Sequence, residues 1–239
     1  MKADQFFYSG AGALFLVLSL LGFQQYIFGG KHVDGTPIES QMVAPVAAHG
    51  ASVFAWFVLF FVQSLLISTE NRRVHMKLGW GVLGVASMIA VTGPLVAVRS
   101  TRSSAFGVSV FDWPGRQFLL IMLTEILLFV TFVAIGTIYR KQPRVHRPMM
   151  MMASLALISG ATGRIGWVNS IFGFHAWTAL FGPVVALGAL LLIVRSVMMR
   201  RPDREFAYGY AGLALVSILA AGLAGTDAWG SLAGMILKL

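Results

Sequence analysis

The sequence predicts an all-α membrane protein: a polytopic helix bundle with about seven transmembrane helices, forming a single integral membrane domain over 1–239. Three observations predict this. The chain is 57% hydrophobic and only 11% charged, whereas soluble domains carry about a quarter charged residues. The charges lie between apolar runs of about 18–25 residues, long enough to cross ~30 Å of hydrocarbon. The basic residues also gather in alternate turns, as expected of a chain held in one orientation across a bilayer. The formal net charge of +9 therefore needs no nucleic acid, because headgroups and membrane topology account for it. With no cysteine, disulfides, iron–sulfur clusters and thiolate metal sites are excluded.

The first predicted helix spans 8–28, with Gln24 and Gln25 near its end. Its apolar stretch is too long for a secretory h-region and has no clear small-residue cleavage site, so it is read as a retained span. A polar loop containing Lys31 and His32 follows. Helix two covers 44–68, and the turn after it carries Arg72, Arg73, His75 and Lys77. Helix three covers 78–98, with Gly93-Pro94 expected to kink it near its end. A second polar loop contains Trp113, an aromatic suited to the interface. Helix four covers 117–139, and the next turn carries Arg140, Lys141, Arg144, His146 and Arg147. Helices five, six and seven are expected over 149–167, 175–199 and 207–225, with Arg200, Arg201 and Arg204 between the last two. The apolar tail after 225 would extend the last helix or lie on the surface. Seven spans put the three basic turns on one side, expected to be cytoplasmic, with the N-terminus inside and the C-terminus outside.

Arg73-Val74-His75 and Arg144-Val145-His146 occupy matching turns. They suggest that hairpins 44–98 and 117–167 derive from one unit. On this topology His75 and His146 lie near one membrane face, and His49 and His175 near the other. Imidazole ligates iron well when neutral. Two such pairs would hold two b-type haems roughly 20 Å apart, an arrangement that carries electrons across a bilayer. Histidine next to arginine at a helix end also serves simply to touch headgroups or cap a neighbour. Glu125 within helix four is an ionisable group at membrane depth, and such groups mark functional sites. Arg164 is expected at a similar depth, where it would neutralise Glu125. Glu125 with His49 and His175 would alternatively bind a metal or gate a proton. Trp56 and Gln63 stand one and two heptads after His49, on the same helix face, and suit interhelical hydrogen bonding. The run Met149–Met152 suits adaptable packing. No Walker motif, dinucleotide fingerprint, HExxH or nucleophile elbow occurs. The last helix has no central lysine for a retinal.

The segments HGASVFAWFVLFFVQSLL, RRVHMKLGWGVLG and RKQPRVHRPMMMMASLAL resemble a group of bacterial multi-pass membrane proteins, distantly similar to cytochrome b561-like and ferric-reductase-like membrane proteins. Over helices two to five, the resemblance points to His49, Trp56, Gln63, His75, Gly79, His146 and Met150. Met76 and Arg147-Pro148 depart from its pattern. It implies haem b on paired histidines and a bacterial inner (cytoplasmic) membrane. The leading expectation is thus a haem-b redox protein in electron transport. The alternatives are a non-catalytic subunit or assembly factor bound to other membrane protein subunits, and a transporter using Glu125 and Arg164.

Overall fold

The computed structural model describes residues 2–31, 37–102, 114–173 and 176–238. Among them the chain is almost wholly helical: α1 (Lys2–Gly29), α2 (Ser40–Ser68), α3 (Arg72–Arg102), α4 (Gly115–Ile138), α5 (Pro143–Thr162), α6 (Gly166–Phe172), α7 (Ala176–Met199), α8 (Arg204–Ala224) and α9 (Asp227–Ile236). Six of these are long and apolar enough to cross a membrane, and α5 with α6 makes a seventh, bent span. The chain is a multi-pass membrane helix bundle. Expected features at His32, Trp113 and His175 lie outside the described residues.

The tight turns at the basic end explain why the bundle reverses direction there without glycine. Glu70 adopts φ 63° and Arg200 φ 52°. Each sits just past a helix end, where the left-handed conformation turns the next amides back onto the last carbonyls. Asn71 N–H then bonds Leu66 O at 2.7 Å, and Arg201 N–H bonds Ser196 O at 3.1 Å. The turn after α2 is so short that the basic segment read as a connection forms the first turns of α3. At its far end α3 continues through Pro94 to Arg102 rather than stopping near Val98.

The centre of the bundle is α5, which packs against α1, α2, α4, α7 and α8. From Pro148 to Thr162 nearly every residue of α5 is buried, including Met149, Met151 and Met152 of the methionine run. α1 comes closest where Gly22 meets the Ala161 backbone; a side chain there would have no room.

The span expected over 149–167 ends at Thr162, and α6 leaves at 100° to α5. Gly163 caps α5, and Asn169 Nδ2 donates to Gly163 O at 2.8 Å, fastening the bend from the α6 side. The tail is not an extension of α8. It turns at Gly225, is N-capped by the Thr226 hydroxyl, and forms α9. α9 docks on α4 through Trp229, whose indole donates to Arg116 O at 2.7 Å.

Candidate functional site

Side chains seven residues apart on α2 tie it to its neighbours one after another. His49 Nδ1 lies 3.0 Å from Thr92 Oγ1 of α3. Trp56, 1% exposed, donates its indole hydrogen to Ser154 Oγ of α5 at 3.1 Å and meets the Phe129 ring of α4 edge-on at 4.7 Å. Gln63 Nε2 donates to His75 O at 3.2 Å. The shared face predicted for His49, Trp56 and Gln63 thus faces the bundle interior.

At the basic end the two Arg-Val-His turns are built alike. In each, the histidine sits in the first helical turn and its Nδ1 reaches back to a carbonyl of the preceding helix. His75 Nδ1 lies 3.3 Å from Gln63 O, and His146 Nδ1 lies 2.8 Å from Gly136 O. A carbonyl only accepts, so each Nδ1 carries the hydrogen and each neutral ring keeps its lone pair on Nε2. The packing of α2–α3 against α4–α5 brings the two rings to a centroid separation of 6.4 Å at an interplanar angle of 87°. Both rings are half-buried. Gly136, whose carbonyl holds His146, has the Met150 sulfur packed against its α-carbon.

Near the opposite end a second polar group surrounds the α5–α6 bend. Glu125 Oε1 is buried and has no hydrogen-bond partner among the described residues. The Ser159 side chain faces its carboxyl, and Arg164 lies within electrostatic range. Arg164 is not 16 residues along an unbroken helix, as the sequence suggests, because it stands in the bend after Thr162. Its guanidinium donates to Gly160 O and lies 5.2 Å from the centroids of both Phe23 and Tyr26, while Nε is buried without a partner among the described residues. Glu125 Oε1 and Arg164 Nε therefore make no hydrogen bond to one another. His49 lies beside this group, its ring against the α-carbon of Gly93. Of the two histidine pairs that the sequence suggests, His75/His146 is assembled, and His49/His175 includes a residue outside the described set. The same holds for a metal set of His49, His175 and Glu125. Among the described residues no group of three or more His, Cys, Asp or Glu is gathered for a metal.

Sequence reasoning missed one polar contact altogether. Arg195 in α7 and Asp203 before α8 form a buried ion pair at 3.1 Å. Asp203 also caps α8 by accepting from Phe206 N–H at 3.1 Å. The Arg195 guanidinium lies over the rings of Phe7 and Tyr8, so α1, α7 and α8 are joined at one point. The available signal was a lone arginine in an apolar run, eight residues before an aspartate in a helix-start position.

The fold and these buried polar groups define a polytopic helical membrane protein with interior sites at two depths. No family model matches the chain, and no solved structure matches it. It is similar to NADH-ubiquinone oxidoreductase chain 5 of Podospora anserina and of Cryphonectria parasitica, 25% identical to each over 139 residues, covering 56% of this chain and 20% of the relative. It is also similar to the chain 5 of Mycosarcoma maydis, 22% identical over 176 residues, covering 71% of this chain and 25% of the relative. The chain therefore spans about a fifth of the length of the curated relatives it first matches. These relatives correct the resemblance drawn from the histidine-bearing segments: the similarity is to an oxidoreductase chain 5, not to cytochrome b561-like or ferric-reductase-like proteins. The reported organisms also give no support to a bacterial source.

Proposed function

We propose that this chain is a membrane-embedded subunit of a larger redox assembly, held beside other membrane protein subunits. The observation that carries this reading is the similarity to NADH-ubiquinone oxidoreductase chain 5 over more than half of the chain. The bundle offers faces for such neighbours. On α3, Trp80, Met88, Val91 and Leu95 point outward in one stripe, with Trp80 73% exposed. Small residues and aromatics on outward stripes suit close approach of further helices as well as lipid. The basic turns after α2, α4 and α7 gather at one end of the bundle, which favours the side of the membrane that is not translocated.

The test uses the full chain, tagged, at its native level in its own membranes. After mild detergent extraction and native electrophoresis, it should migrate well above a 25.8 kDa chain in its micelle. It should also coincide with a band that oxidises NADH in the gel. A lone chain that migrates as a monomer away from all NADH-oxidising activity, both before and after crosslinking in the membrane, sinks the proposal.

A further inference from the structure

The repeated Arg-Val-His turns bring two imidazoles side by side, each tied back to the preceding helix. A histidine that only touched headgroups would face the water layer. Here both rings turn inward, and each is fixed through Nδ1 to a backbone carbonyl of the preceding helix. Metal-ligating histidines characteristically pin their second nitrogen in this way, which sets the tautomer and aims the other nitrogen. The Gln63 side chain also donates to the His75 carbonyl, and its Oε1 is buried with no partner among the described residues.

The separation is informative in itself. A metal bound by two imidazole nitrogens at about 2.0–2.1 Å has ring centroids about 6 Å apart when the nitrogens lie on opposite sides of it. A tetrahedral angle would draw them in to about 5 Å. The observed 6.4 Å is the separation that the opposed arrangement requires. The iron of a haem and a bare copper ion both accept two imidazoles in that way. Met150, one helical turn after His146, packs its thioether on the glycine that anchors the ring.

We infer that His75 and His146 together hold one transition-metal centre at the basic end of the bundle, bound through the two Nε2 atoms. This inference is independent of the subunit reading, since it concerns the isolated chain. It assigns the site to one pair of hairpins and leaves His49, with its Nδ1 beside Thr92, outside it.

The experiment measures metal and absorption on the full chain purified from cells supplied with iron and copper, then on the same protein after adding hemin or copper(I). About one iron per chain with a Soret band identifies a haem, and about one copper without that band identifies a bare ion. Either result supports the site if the metal falls at least about tenfold in both His75→Asn and His146→Asn. The asparagine amide can still donate to the Gln63 or Gly136 carbonyl, so it keeps the anchor and removes only the distal nitrogen. His49→Asn should retain the full amount. Should an asparagine variant fail to fold, diethyl pyrocarbonate mapping of the unaltered protein gives the same answer. Added hemin or copper(I) should then shield His75 and His146 and leave His49 unshielded. Wild-type protein that binds neither probe, metal retained in both asparagine variants, or shielding absent from the pair would overturn the inference.

Discussion

Three glycines that look alike in the sequence should respond to alanine in three different ways. At Gly10 an added Cβ meets nothing within 4 Å. Alanine there gains only helix propensity, up to about 1 kcal/mol. At Gly93 the Cβ would lie 2.6 Å from Ile126 Cδ1 and 2.8 Å from Cγ1. That is the far end of a flexible side chain, so the strain of about 1 kcal/mol roughly cancels the helical gain. At Gly22 the Cβ would lie 2.6 Å from Ala161 Cα and 2.7 Å from its carbonyl carbon. Backbone cannot rotate away, so α1 and α5 must separate. That cost belongs at the upper end of the range of about 1–3 kcal/mol for overpacking, leaving a net loss of about 2 kcal/mol. Gly10→Ala and Gly22→Ala should therefore differ by about 3 kcal/mol, or about 6–12 °C in Tm at about 2–4 °C per kcal/mol. Thermal unfolding of the purified chain in one detergent, followed by circular dichroism, ranks the three. Equal melting of Gly22→Ala and Gly10→Ala would refute the crossing of α1 over α5 at Ala161.

Other expectations concern the buried polar contacts and the topology. Asp203→Ala should cost about 3–5 kcal/mol by removing the carboxylate that pairs with the buried Arg195, plus about 1 kcal/mol for the lost cap on α8. Asp203→Asn should recover only the cap, and pairing it with Arg195→Met should restore most of the remaining loss in the same melting assay; a double variant no better than Asp203→Asn speaks against a coupled pair. Trp56→Phe removes the indole hydrogen bond to Ser154 and should lower stability by about 0.5–1.5 kcal/mol, whereas an unchanged midpoint would mean the bond is not formed. Because the chain has no cysteine, single cysteines at Lys141 and at Asp227 report orientation directly. An impermeant maleimide should label them from opposite sides of a sealed membrane, and labelling from one side would break the seven-span topology.

Much of the bundle was legible because lipid imposes a simple rule: every span needs a long apolar run. That rule located the cores of the helices. It also placed His75 and His146 at one face, which the repeated Arg-Val-His turns reinforced. It failed where a glycine carried two meanings. Gly160, Gly163 and Gly166 fall inside the continuous span expected over 149–167, yet Gly163 ends α5, and the chain turns by 100°. Arg164 moves with that bend, so its depth could not be counted along a helix. The start of α3 was hidden for a different reason. Its first turns are charged, and charge between apolar runs looks like a connection until the left-handed Glu70 shortens the real turn. Arg195 gives little signal in the sequence, because a single cation near the end of an apolar helix ordinarily snorkels to the interface, whereas here the aspartate that caps the next helix meets it.

The enclosure of α5 has a consequence for biogenesis. A segment with serines at 154 and 159 and nearly every side chain covered by protein is suited to neighbours, not to acyl chains. Two of those neighbours, α7 and α8, are synthesised after it. Until they emerge from the ribosome, the middle of this molecule must wait half-clothed in the bilayer. A nascent chain halted before α7 should therefore be a preferred client of membrane quality control, and its release should follow completion of α8.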